Sequence, residues 1–181
     1  MPGSVRGVPG LSRRKLGARA RAWRLTGGVG GVAWGHDHIG GVVPVEKADM
    51  FHGACFCGAL RYEASGAPTH RGNCHCSMCR GTTGAPFVAW FTVPRAGFRY
   101  TQGKATRFHS SARVTRGFCP HCGTQLTFEE EGGADDIDVT VCSLDDPERL
   151  PPRKHICASS KRSWVKLADG LPEYRDGGDG G

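Results

Sequence analysis

The sequence predicts an all-β domain from about residue 50 onward. From Phe51 the chain reads as short runs of β-branched and aromatic residues, each closed by glycine, proline or another turn former. Its 28 glycines and 38% hydrophobic content suit a turn-rich sheet protein better than a helical bundle. Helical periodicity is weak throughout. A chain of 181 residues is long enough for one domain with a real core and a tail.

Taken in order, residues 58–64 alternate weakly and run into Ser65-Gly66-Ala67-Pro68, a turn. A strand over 69–76 leads into a cysteine-rich turn. Residues 86–93 are rich in aromatic and β-branched side chains, and Pro94 stops them. Further strands are expected over 98–101, 105–109 and 114–118, with 124–129 returning as the second arm of a hairpin. Residues 137–142 and 154–157 complete the set. Helix is expected only as one turn after Cys79 and as a short stretch over 160–165.

Residues 1–49 differ in kind. They hold eight Lys/Arg against three Asp/Glu, whereas residues 50–181 hold sixteen against fourteen, so the net charge of +7 belongs mostly to the first segment. Arg13, Arg14, Lys15, Arg19, Arg21 and Arg24 are interleaved with small and apolar residues ahead of a glycine-rich run. Three readings compete: a disordered basic extension with Met50 as the true start, an Arg-rich organelle transit segment, and a nucleic-acid-binding arm. The first is the expectation, because basic tails without a packed face are usually solvated. The acid-poor stretch 11–25 keeps the transit reading open. The expected organisation is therefore an extension at 1–49, a folded domain at 50–175 and a flexible glycine-rich tail at 176–181. Nucleic acid is not expected as a partner of the domain, since the charge lies outside it. Neither a secretory h-region nor the roughly 20 apolar residues of a membrane span is visible. No membrane partner is therefore expected, and a reducing cytoplasm is the expected location.

Nine cysteines dominate the chemistry. Cys74, Cys76 and Cys79 place three thiols within six residues, flanked by the pairs Cys55-Phe56-Cys57 and Cys119-Pro120-His121-Cys122. Clusters of this spacing read as metal sites, whereas disulfide frameworks usually spread cysteines singly. In Cys119-Pro120-His121-Cys122-Gly123, proline presets one backbone angle and glycine lets the chain leave with positive φ, making a tight turn with both sulfurs inward. Cys55 and Cys57 are expected on one strand face, with Phe56 on the other. Two plus two makes a closed tetrahedron of the structural zinc type.

At the second cluster, Cys74 and Cys76 are expected to share a strand face, with Cys79 coming back from the turn. Three protein ligands plus an open position is the arrangement of catalytic zinc. Strand parity aims His75 the other way. Cys142 and Cys157, each alone on an apolar strand, are expected as buried thiols and are the only distant candidates for a fourth ligand. His121 is expected to be solvated at its turn tip. Arg80, with Gly81, Thr82, Thr83 and Gly84, is a candidate for holding an anionic substrate; the equal alternative is a surface arginine among glycines that only turn the chain.

These motifs resemble the glutathione-dependent formaldehyde-activating enzyme family. The resemblance is carried by Gly53-x-Cys55-x-Cys57-Gly58, Cys74-His75-Cys76-x-x-Cys79-Arg80 and Phe118-Cys119-Pro120-x-Cys122-Gly123-Thr124, and extends to His155-Ile156, Trp164 and the run from Asp169 to Tyr174. It implies an Mss4-like fold, a tent of small antiparallel sheets pinned by zinc. It implies two Zn²⁺ per chain, one structural on Cys55, Cys57, Cys119 and Cys122, one catalytic on Cys74, Cys76 and Cys79. It also implies a carbon–sulfur lyase whose partners are a small thiol, glutathione, and an aldehyde, formaldehyde. A similar domain occurs in centromere protein V, so fold alone does not fix activity. The competing expectation is a non-enzymatic zinc-stabilised module binding protein or nucleic acid, which needs only the four-cysteine site.

Overall fold

The computed structural model describes residues 49–177. All but Asp49 of the basic extension expected at 1–49, and residues 178–181 of the expected tail, lie outside the described residues.

Strand β4 (Val88–Pro94) shows how the sheets are built. Successive side chains of a strand point to opposite faces. Phe91 and Val93 are fully buried on one face, while Trp90 and Thr92 stand on the other. Turn formers divide the rest of the chain into similarly short strands. Strands β1 (Met50–Ala54), β2 (Arg61–Ser65) and β5 (Phe98–Gln102) form an antiparallel three-stranded sheet in the order β1-β2-β5. The larger sheet contains β3 (Arg71–Cys74), β4, β6 (Thr106–His109), β7 (Val114–Phe118), β8 (Gln125–Glu130), β9 (Asp136–Thr140) and β10 (His155–Ile156). Its order is β10-β3-β4-β9-β8-β7-β6, antiparallel except where β10 runs parallel to β3. The all-β, antiparallel class expected from the sequence is the one found.

The core joins the two sheets. Phe51, Tyr62, Ala64 and Phe98 from the smaller sheet pack in one cluster with Phe91, Val93, Ile137 and Val139 from the larger. The Phe51 and Phe91 ring centroids lie 6.0 Å apart. Burial of each phenylalanine, valine or isoleucine among them contributes about 1.5–3 kcal/mol. Beyond β10, the C-terminal segment lies along the sheet edge: Pro172 C=O accepts from His155 N–H at 2.8 Å, and Tyr174 N–H donates to His155 C=O at 2.8 Å. Cys157 N–H donates to Asp176 C=O at 2.8 Å.

Several boundaries differ from expectation. The strand expected over 69–76 ends at Cys74, because Cys76 caps a helix, α1 (Ser77–Thr83), longer than the single turn expected after Cys79. Gly84 stops that helix at φ 67°, its N–H returning to Arg80 C=O at 2.8 Å. No helix forms over 160–165; a single 3-10 turn stands earlier, at Ala158–Ser160. The strand expected over 137–142 gives way after Thr140 to a 3-10 turn, Val141–Ser143.

On the face of the larger sheet opposite the core, register places polar side chains in a row. Arg116 pairs with Phe128, Phe128 with Asp138, and Asp138 with Thr92, across β7, β8, β9 and β4. Cys74 pairs with Val88, two residues from Trp90 on the same face of β4. Strand parity thus brings the second cysteine cluster and this row to one side of the sheet.

Candidate metal centres and the adjoining cleft

Cys55 and Cys57 converge through a turn, not along a strand face as parity suggested. β1 ends at Ala54, and Gly58 N–H closes the turn on Cys55 C=O at 2.9 Å. With no sheet face behind it, Phe56 is 93% exposed. The second turn is one residue longer: Gly123 N–H reaches Cys119 C=O at 2.9 Å. Gly58 and Gly123 have φ of 75° and 74°, a region that only glycine enters freely. Thr124 ties the turns together. Its Oγ1 accepts from Phe56 N–H at 3.1 Å, leaving its own hydroxyl hydrogen for Cys122 Sγ at 3.2 Å. That contact is the main reason the Cys122 thiol is drawn down to about 5. Leu60 N–H also points at Cys55 Sγ, at 3.2 Å.

The four sulfurs all lie within 4.8 Å of one another. Cys55 Sγ is 3.6 Å from Cys57 Sγ, and Cys57 Sγ is 3.8 Å from Cys119 Sγ. These are edges of a zinc-sized tetrahedron, since Zn–S bonds of about 2.3 Å imply S···S edges of about 3.8 Å. They are far longer than a disulfide bond of about 2.05 Å, and all nine cysteines are free. The donor set fits a closed metal site.

The other cluster is assembled from three different local structures. Cys74 is the last residue of β3, Cys76 is the N-cap of α1, and Cys79 is buried within the helix. Cys76 Sγ accepts from Cys79 N–H at 3.3 Å, so the sulfur performs the task usually given to a serine or aspartate oxygen. The three sulfurs lie within 4.8 Å of one another, one donor short of a closed tetrahedron. Without a metal, hydrogen bonds from Cys74 and Cys79 hold Cys76 far below the usual thiol range, helped by backbone N–H groups. Cys74 is pushed up in exchange, chiefly by its hydrogen bond with Cys76.

His75 points away from the sulfurs, as parity required. Its Nε2 is 2.9 Å from His155 Nδ1, and His155 Nε2 is 3.0 Å from Asp169 Oδ2; both rings are fully buried. A carboxylate only accepts, so His155 donates to Asp169 through Nε2, and a single hydrogen bond joins His155 Nδ1 to His75 Nε2. Burial, then the neighbouring His155, lowers the His75 pKa, and the ring is neutral. The chain of bonds fixes the backbone between Cys74 and Cys76 against β10.

The remaining candidates separate. Cys142 is exposed, because its strand ends at Thr140, which corrects the expectation of a buried thiol. Cys157 packs beside Cys74 and Cys79 and lines the cleft, yet its sulfur is outside the group of mutually close donors. It holds φ 53°, the only non-glycine left-handed residue among the described residues. His121 is exposed at its turn. Arg80 does not line the cleft; its Nη1 donates to His75 C=O at 3.3 Å and Ser160 C=O at 2.8 Å, pinning α1 to the C-terminal region. Thr82 and Thr83 hydroxyls donate back to helix carbonyls of Met78 and Cys79.

The three-cysteine cluster lines a cleft of about 410 Å³. Trp90, Phe128 and Ile156 give it apolar walls, and Thr92, Arg116 and Asp138 polar ones. Thr92 Oγ1 donates to Asp138 Oδ1, and burial pushes the Asp138 carboxyl up. The polar row escaped sequence reasoning. An arginine at the centre of an otherwise strand-forming run, Val-Thr-Arg-Gly-Phe, was the available signal.

Known proteins are similar to this chain. A family model described as glutathione-dependent formaldehyde-activating enzyme matches residues 50–160. An uncharacterized lyase of Schizosaccharomyces pombe is 24% identical over 119 residues, 66% of this chain and 86% of that protein. A putative glutathione-dependent formaldehyde-activating enzyme of Halomonas elongata is 26% identical over 127 residues, 65% of this chain and 81% of that protein. A solved Rhodobacter sphaeroides protein aligns with a TM-score of 0.47 at 19% identity, over 68% of this chain and 99% of its own. No described helix is long and apolar enough to cross a membrane. With its match spanning more than half the sequence, this chain belongs to the glutathione-dependent formaldehyde-activating enzyme family.

Proposed function

We propose that the chain is a zinc-dependent carbon–sulfur lyase acting on thiol–aldehyde adducts, of the type that joins glutathione and formaldehyde to S-hydroxymethylglutathione. The observation that carries this reading is the three-cysteine cluster, one donor short of closure, lining a cleft of small-molecule size. Two Zn²⁺ per chain fit the donors: Cys55, Cys57, Cys119 and Cys122 for a structural ion, and Cys74, Cys76 and Cys79 for a catalytic one. A zinc ion there supplies thiol activation and polarisation of an aldehyde oxygen.

The protein's own groups do the rest. In the forward direction a sulfur–carbon bond forms, the carbonyl π bond opens, and the thiol proton ends on the new hydroxyl. Trp90, Phe128 and Ile156 exclude water and hold thiol and carbonyl together, replacing a bimolecular encounter with a proximate one. Three thiolates around a divalent ion leave a local charge near −1, which favours delivery of the thiol over strong carbonyl activation. Uncatalysed addition is quick, so the acceleration required is modest. The catalytic domain is residues 50–175, with 1–49 a basic extension and 176–181 a tail, and its location is the cytoplasm, where cysteines stay reduced.

The test is exchange spectroscopy by NMR on zinc-loaded protein with formaldehyde and a panel of thiols. Accelerated interconversion of glutathione and its hydroxymethyl adduct is expected. No acceleration with any thiol–aldehyde pair leaves only the binding-module reading.

A further inference from the structure

Arg116 sits at mid-strand in β7 and is only 2% exposed. Its Nε donates to Ser110 Oγ at 3.3 Å, and its guanidinium carbon lies 4.9 Å from the Phe128 ring centroid. Neither Nη1 nor Nη2 has a hydrogen-bond partner among the described residues. Burying a charged group with donors unmatched is costly, so these two donors call for an acceptor that the described residues do not supply. The cleft's acids, Glu130, Asp136 and Asp138, make no hydrogen bond to Arg116, and its charge reaches Asp138 only as a minor influence. Asp138 accepts from Thr92 and stands one strand beyond Phe128, while Glu130 pairs with Arg113 at 3.3 Å.

We propose that Arg116 is the carboxylate-binding residue of this cleft, taking the anionic end of a small molecule whose thiol end lies at Cys74, Cys76 and Cys79. The thiol half rests on the function proposed above; the carboxylate half stands on Arg116 alone. With Nε occupied, Nη1 and Nη2 present the planar fork that matches the two oxygens of a carboxylate. Phe128 and Trp90, with ring centroids 6.3 Å apart, lie in the same cleft and cover an apolar stem between the two ends. The substrate class is therefore a thiol carrying a carboxylate.

Calorimetric titration of zinc-loaded protein with 3-mercaptopropionate, 2-mercaptoethanol and succinate tests this. The carboxylated thiol is expected to bind at least ~10-fold more tightly than 2-mercaptoethanol. Arg116→Gln should abolish that advantage while leaving 2-mercaptoethanol affinity and zinc content unchanged, and Arg116→Lys should retain part of it. Equal affinity of the two thiols for the unaltered protein overturns the proposal, whether or not the variants fold. So does an advantage that survives in Arg116→Gln. An advantage lost only together with zinc also overturns it, making Arg116 a counter-charge for the cysteines. If neither thiol binds but succinate binds in an Arg116-dependent way, the carboxylate site stands and the lyase reading falls.

Discussion

At the four-cysteine cluster every sulfur comes from one of two tight, glycine-closed turns, and the groups around them are backbone N–H groups and one threonine hydroxyl. At the three-cysteine cluster the sulfurs come from a strand end, a helix cap and a helix interior, and the surroundings are an aromatic-walled cleft, an arginine and a buried histidine pair. The first arrangement ties distant parts of the chain, the turn after β1 and the β7–β8 hairpin. The second ties only neighbouring residues but borders space that another molecule can fill. Similar ligands thus serve different ends according to what they cross-link and what they face.

The largest effect should come from breaking the first cluster. Structural zinc contributes about 10–16 kcal/mol in small domains, comparable with a domain's whole stability of about 5–15 kcal/mol. Cys122→Ser is accordingly expected to abolish the cooperative thermal transition seen by circular dichroism; a melting point within a few degrees of the parent contradicts the pinning role.

Cys76→Ser should do the reverse. Serine is a good N-cap and preserves α1, so melting should fall by less than ~8 °C while bound zinc drops from two to one and turnover disappears. Should it destabilise as severely as Cys122→Ser, both clusters are structural.

His155→Phe removes the partner of His75 and leaves its buried Nε2 unpaired. A loss of about 1–3 kcal/mol in denaturant unfolding is expected, with zinc content unchanged. Thr124→Val takes away one hydroxyl that serves both turns of the closed cluster, and about 1 kcal/mol is expected there. The smallest effect belongs to a chain begun at Met50, which should match the full chain in melting temperature and zinc content; a drop in either sinks the assignment of 1–49 as a dispensable extension.

The grouping of seven cysteines was legible because ligand spacing is a local property of the chain. The same locality explains what was misjudged. Cys55 and Cys57 meet equally well across a turn or along a strand, so their spacing did not separate the two. Helix α1 was hidden because Gly81, Thr82 and Thr83 are poor helix formers, and because its cap is a cysteine sulfur. Cys142 is exposed because the strand ends at Thr140, two residues before the end that its apolar run suggests. The row Arg116, Phe128, Asp138 and Thr92 depends on register among four strands, information that no window of sequence contains. Arg80 stood out beside the cysteines, yet its guanidinium serves backbone carbonyls, whereas Arg116, distant in sequence, lines the cleft.

The C-terminal segment along β10 bears on where this protein can be cut. A domain ended at residue 160 would strip the partners from His155 and Cys157 and leave β10 as a bare margin of unpaired N–H and C=O groups, a template for another chain. The same cut removes Asp169, and with it the carboxylate that accepts from the buried histidine pair. Residues 169–176 therefore work as a selvedge: they keep the sheet from fraying beside the three-cysteine cluster, and a shortened protein is expected to aggregate before it loses its four-cysteine clasp.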